Sequence, residues 1–312
     1  MKDILSFTYI EFLRNTVKNI KYLIFGVGVT AAFLGYFVAW IFSQSEDGTF
    51  IGNKHYMSYL LFIAMSAAFL GILKGIYDIY VDRELMHKFA RSGLALHKLF
   101  IAKFIIAFVI GIIQCFLLTL PALFILKIQQ SQSVIIYANW VICLGIFICS
   151  YALALIVSCV VGSDKIASIS IALLLVPQIM LSGQVPYKNL HKAVFLWESN
   201  YAKMPPPAVL MPVPVGFEAL VVANYTTLVD EFGNSSNVNN DISGEIAKEA
   251  DNITLKNGVF RSAKWHANLS MWVVDLLLLM LWCAGYLILA YVLFMVLNSP
   301  KFKKSNLKFQ RR

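Results

Sequence analysis

Charge is scarce in this chain. Only 14% of its 312 residues are Asp, Glu, Lys or Arg, while 59% are hydrophobic, a balance that leaves too few polar groups to hydrate a soluble fold, where about 25% are charged. Catalytic signatures are missing as well. No G-x-x-x-x-G-K-[ST] run offers a phosphate cradle, no H-E-x-x-H offers a zinc-binding helix, and no G-x-S-x-G offers a nucleophile elbow. The five histidines are scattered over the more polar segments, so no metal site is expected. Cysteine is sparse and misplaced for cross-linking: Cys115, Cys143, Cys149, Cys159 and Cys283 all fall inside apolar runs. Their odd number and their absence from polar loops exclude a disulfide framework and leave them as small hydrophobes.

What the chain has instead is long apolar runs and a mean hydropathy of +0.71. Six runs, roughly 21–43, 57–80, 104–126, 136–161, 166–183 and 271–297, reach the about 20 residues that a helix needs to cross a bilayer. The expected fold is an all-α polytopic membrane protein with six transmembrane helices, a single domain spanning 1–312. The first run begins near Lys21, is too long for the apolar segment of a cleaved signal, and lacks a small-residue cleavage site. It is expected to remain as a span.

The net charge of +9 is explained by topology. With both termini cytoplasmic, the inner side holds Lys2, Arg14, Lys18, Lys21, Arg83, Lys88, Arg91, Lys98, Lys103, Lys165 and the tail from Lys301 to Arg312, whereas the short outer loops keep Lys54 and Lys127. That is the positive-inside bias. Basic residues spread over several short segments do not form the footprint that nucleic acid requires, so no nucleic-acid partner is expected. Residues 1–20 mix Ile, Leu, Phe and Tyr with Lys and Arg, which fits either a helix lying in the cytoplasmic interface or a simple basic anchor.

Within the second run, Ala67, Gly71 and Gly75 share one helix face and invite close approach of another backbone. Lys74 and Asp78 stand at i, i+4 near its end, where they pair locally or the lysine snorkels. The stretch VGSDKIA turns the chain between the fourth and fifth runs, with Asp164 expected to cap the next helix. Pro177 is expected to bend the fifth span beside Gln178. From 184 to 270 the chain reads as an outer region in which MPPPAVLMPVP breaks any straight spanning helix into short re-entrant ones, followed by a hydrated loop. Four N-x-[ST] matches, at Asn224, Asn234, Asn252 and Asn268, fall in or near it. Asp275 enters the final span about 6–8 Å deep, and is expected to hold the outer helices.

Residues 81–103 interrupt two apolar runs with DRELMHKFARSG. Asp82 and Glu84 come first, Lys88 and Arg91 last, the order that complements a helix dipole, and Gly93 is a natural stop. A short helix, a glycine turn and a second helix running through Lys103 are expected. Two readings fit such an element: a juxtamembrane helix on anionic lipid, or a cytoplasmic elbow that another protein pushes.

The Ser-Gly at 92–93 followed ten residues later by Lys103, the run SYALALIVSCVVGSDKIASISIALLLVPQIMLSG at 150–183, and VPVGFEALVVANY at 213–225 together resemble ABC-type export permeases, particularly the G-subfamily of White-type and multidrug half-transporters. The elbow departs from that pattern by carrying Lys88 and Phe89 before Ser-Gly. The resemblance implies a permease subunit moving a hydrophobic or amphipathic substrate outward by alternating access. It implies two copies of the permease, identical or not, membrane lipids around them, and a separate ABC ATPase that holds ATP and Mg, with no cofactor in this chain. It places the ATPase coupling at Asp82, Arg83, Glu84, Lys88, Arg91 and Gly93. A substrate cavity near Ala67, Phe69, Leu70, Ala172 and Val176 is implied too, with Gln184 and Val185 at its outer gate. A bacterial inner membrane is the implied location, since the outer region lacks cysteines. The alternatives are a non-transporting scaffold or sensor, and a membrane enzyme, against which the missing motifs count.

Overall fold

The computed structural model describes residues 9, 22–43, 56–83, 85, 86, 88, 96–126, 133–184, 206–233 and 271–297, and among them every regular element is a helix. A π-helix, Tyr22–Val29, leads into α1 (Thr30–Ile41); then come α2 (Tyr56–Tyr80), α3 (Leu96–Ile125), α4 (Ser133–Val160) and α5 (Asp164–Ile179), the last continued by a second π-helix, Met180–Gln184. A single turn, α6 (Pro206–Val209), precedes α7 (Pro212–Gly233), and α8 is Met271–Leu297. Among the described residues five helices are long and apolar enough to cross a membrane: Ser58–Tyr80, Leu96–Ile125, Ile136–Val160, Asp164–Ser182 and Val273–Leu297. The protein is an all-α polytopic membrane protein. The first expected span is an 8-residue π-helix followed by the 12 residues of α1, and its apolar helix Gly26–Ile41 is shorter than those five. The expected interfacial helix at 1–20, Tyr9 apart, and the basic tail lie outside the described residues.

Helix α4 is the hub, packed against α2, α3, α7 and α8. Residues 145–152 are buried on every face, the pattern of a helix surrounded by others. The small face of α2 is what lets α4 approach so closely: a Cβ on Gly75 would lie 2.6 Å from the Tyr151 carbonyl oxygen and 2.7 Å from Ala154 Cβ. Against lipid tails there is no hydrophobic gain from pairing two apolar helices, so backbone proximity and dispersion contacts supply the association. Helix α1 packs on α3. Helix α5 leans on α2 through a small cluster of Ile72, Ile76, Ala154, Val161 and Ala167.

One local expectation is revised. The cap of α5 is Ser163, in extended conformation with its hydroxyl accepting from the Ile166 amide at 3.4 Å; Asp164 is the first helical residue, where its charge still suits the dipole. Beyond Pro177, which has no amide hydrogen to give, the helix widens into the π-helical stretch Met180–Gln184. Gln178 is buried and donates from Nε2 to the Leu174 carbonyl at 3.2 Å.

Helix α7 is longer than the short helices anticipated there, at 22 residues. Residues 212–224 are buried throughout, packed against α4, α8 and α2. Gly216 makes this possible by lying directly on the Ile146 side chain. The proline cluster does break the chain, between α6 and α7.

Candidate transmission joint and permeation face

At one end of the bundle four charged side chains meet. Lys74 Nζ donates to Asp78 Oδ1 at 3.0 Å, as their i, i+4 spacing predicts. From α3, Lys103 reaches to within 3.7 Å of the same oxygen and donates to Asp82 Oδ2. From α4, the Tyr151 hydroxyl donates to Asp78 Oδ2 at 2.6 Å. Two lysines and two aspartates balance in charge, which is what allows Lys103 to be only 3% exposed and Asp78 9%. Nothing local in the sequence announced the part that Lys103 takes in it. Lys103 reads as one more positive-inside charge, and its pairing with residues 21 and 25 positions earlier is a tertiary event.

Next to the joint, α2 and α4 are stitched end to end. Arg83 donates from Nη2 to the carbonyls of Ser158 at 3.2 Å and Cys159 at 2.7 Å, satisfying groups that the last turn of α4 leaves without helical partners. Ser158 answers from the other side: its hydroxyl accepts from the amides of Ile79 at 3.2 Å and Tyr80 at 3.0 Å and donates to the Ile76 carbonyl at 2.6 Å. The chain then enters the 81–103 segment with Met86 buried among Ile79, Leu99, Phe100 and Tyr151, its amide bonded to the Asp82 carbonyl at 2.9 Å. Lys88 is exposed. Glu84, Arg91 and Gly93 lie outside the described residues. The helix resumes at Leu96 and carries Lys103 inside it, the continuity expected of the second half of this segment.

The residues singled out for a cavity separate into two groups. Ala67 and Leu70 are sealed in the core that α2 shares with α4 and α7, and Phe69 is half-buried. Ala172 and Val176 are exposed on α5. Around them Ile166, Ile169, Leu173 and Met180 are exposed as well, Leu173 at 70%, forming with Val176 an apolar stripe along one side of that helix. Gln184 closes the π-helical stretch below it, and Val185 lies outside the described residues. Within one chain the five positions therefore share no open surface.

The far end of the bundle holds a second polar cluster. Tyr56 donates to Asn224 Oδ1 at 2.7 Å, and Asn224 Nδ2 donates to Asn139 Oδ1 at 2.7 Å and to the Leu220 carbonyl at 2.6 Å. It ties α7 to α2 and α4. Asn224 is buried and its amide is in use, so this N-x-[ST] match has no room for a glycan; the other three lie outside the described residues. Glu218 of α7 and Asp275 of α8 are also buried, on helices that pack against each other. The five cysteines are free and buried. Among the described residues no three His, Cys, Asp or Glu side chains come together to hold a metal ion.

Residues 4–204, more than half of the chain, match the family model described as ABC-2 type transporter. No curated protein matches it.

Proposed function

The chain belongs to the ABC-2 type transporter family, and from that premise we propose that it is the membrane half of an exporter. Membership makes it an integral membrane permease component, a transport subunit that works with an ATPase. In this reading the ATPase is a separate chain, ATP and Mg reside there, and the partner docks on the cytoplasmic elbow 81–103 through Asp82, Arg83, Glu84, Lys88, Arg91 and Gly93. Two permease copies enclose the path. The exposed stripe of α5 with Ala172 and Val176 faces it, Phe69 flanks it, Ala67 and Leu70 back it from within, and Gln184 and Val185 form its outer gate. Such apolar surroundings favour a hydrophobic or amphipathic substrate. Both termini are cytoplasmic, 184–270 is outside, and a bacterial inner membrane houses the complex.

The observation that carries this reading is the buried joint of Lys74, Asp78, Asp82 and Lys103 at the root of the elbow. Buried ion pairs are seldom the most stable way to fill a core, because desolvation offsets most of their attraction. A scaffold would be served as well by apolar packing at this place. A segment that must be displaced and return to a defined position has use for charged contacts with discrete partners. Affinity purification in mild detergent, with identification of bound proteins and lipids, tests the proposal: an ATPase that stays bound supports it, and a permease that purifies with none removes its motor.

A further inference from the structure

We infer that Ser150 of α4 and Gln178 of α5 are the two halves of a latch, the Ser150 hydroxyl donating to Gln178 Oε1 in a second position of α5 that brings its end closer to α4. The latch is read from the packing; that it moves a wall of the transport path rests on the exporter reading.

Both side chains are fully buried, and neither Ser150 Oγ nor Gln178 Oε1 has a hydrogen-bond partner among the described residues. Gln178 already donates from Nε2 to the Leu174 carbonyl, so its oxygen is left needing a donor, and a serine hydroxyl is one. The two atoms are complementary. A buried polar atom without a partner has lost its bonds to water and gained none in return, which favours any arrangement that joins the two.

Their placement allows it. Helices α4 and α5 face each other through the cluster of Ile72, Ile76, Ala154, Val161 and Ala167, against which Leu174 also packs. Ser150 stands four residues before Ala154 and Gln178 four after Leu174. Each is thus one turn farther toward the Asn224 end, on the facing side of its own helix, and the pair is the next contact along that seam.

The helix that must move is the loosely held one. In its apolar stretch 28% of α5 is buried, against 67% in α2 and 72% in α4. One end of α5 is fastened by the Tyr77 and Ser168 hydroxyls, 3.2 Å apart, and the other rests through Leu181 on Ala208 of the single-turn α6. Between them Pro177 withholds an amide hydrogen and the π-helical stretch begins at Met180, so bending is easiest there. A bend at Pro177 leaves 164–176 in place and carries Gln178 toward α4, together with Met180 of the apolar stripe and Gln184 of the proposed gate. Two discrete positions result, with the bond made in only one.

The test uses the permease with its co-purified ATPase in lipid nanodiscs, spin-labelled at Tyr137→Cys on α4 and Met180→Cys on α5, with unlabelled permease in excess so that the separation is read within one chain. Both positions are exposed, and the native cysteines are buried. Label separations are recorded by pulsed electron paramagnetic resonance without nucleotide and with ATP and vanadate. Retention of the ATPase is scored apart and belongs to the function reading, because the latch is read on the permease with or without its motor. The original sequence and Ser150→Thr, which keeps the hydroxyl, are expected to show two separations. Ser150→Ala and Gln178→Leu are each expected to lower the fraction at the shorter separation roughly fivefold or more, at the lower end of allosteric couplings. The double variant is expected to fall no further than either single one, since the same bond is lost in all three. Should one single variant fail to accumulate, the other carries the test. A single separation in the original sequence under both conditions overturns the inference. So do fractions that the variants leave unchanged, the result expected if a water molecule satisfies the two oxygens, and so does a further fall in the double variant.

Discussion

The hydroxyl of Ser158, in the last turn of α4, is bonded into the last turn of α2, where it accepts from the Tyr80 amide at 3.0 Å. The same oxygen donates to the Ile76 carbonyl, and Arg83 reaches back to the Ser158 carbonyl. Two helices 78 residues apart at this contact thus end as one unit. Ser158→Ala is expected to cost about 1–3 kcal/mol by leaving buried backbone groups poorly satisfied, read as a lower unfolding temperature in detergent. A temperature equal to that of the original protein would show that the stitch contributes nothing.

The glycines of α2 answer a different question, whether close backbone approach holds the bundle. Gly75→Ala places a methyl 2.6 Å from a backbone oxygen that belongs to a buried helix and has nowhere to go, and Gly71 faces the Phe147 carbonyl in the same way. Each substitution is expected to destabilise by about 1–3 kcal/mol. Gly285 of α8, with nothing within 4 Å of an added Cβ, is the control: Gly285→Ala is expected to be neutral or to stabilise by about 0.5–1 kcal/mol. Equal thermal shifts for the three variants would contradict the packing described.

Asn224 secures α7. Replacing it by Leu removes the shared partner of Tyr56 and Asn139, and inside a membrane bundle a loss of about 1–2 kcal/mol is expected. The loosening should be local. Limited proteolysis is expected to cut faster in the 185–205 and 234–270 segments that flank α6 and α7, with α2 to α4 unaffected; uniform cleavage rates along the chain would argue against α7 as a separately anchored element.

Much of the bundle was legible because a bilayer imposes a length on apolar runs, and 57–80, 136–161 and 271–297 match α2, α4 and α8 within a few residues. The pairing of Lys74 with Asp78 was legible for the same kind of reason, a local spacing with a fixed geometric meaning. Lys103 was not, because the rule that assigns basic residues to the cytoplasmic side says nothing about which of them turn inward. Asn139 and Asn224 were the fainter case: each is a lone amide in an apolar stretch, a signal for buried hydrogen bonding that does not name its partner. The burial of α7 was hidden by Pro212 and Pro214, which read as breakers yet stand in the first turn, where missing amide hydrogens cost little.

The sidedness proposed from the charge bias is open to direct labelling. Lys88→Cys is expected to react with a membrane-impermeant maleimide only from the cytoplasmic side, and Phe124→Cys, exposed at the opposite end of α3, only from outside. Reaction of both from one side would remove the topology in which α3 crosses the bilayer.

The most direct measurement for the account as a whole places a photo-crosslinking amino acid at Lys88, the exposed charge described on the elbow, and identifies what it captures in native membranes. The account predicts a covalent adduct to an ABC ATPase subunit, weakened when Arg91 is changed to Glu, with the permease still inserted. Capture of lipid alone, with no ATPase adduct at this position, would contradict it and return the segment to the role of a basic helix resting on the membrane surface.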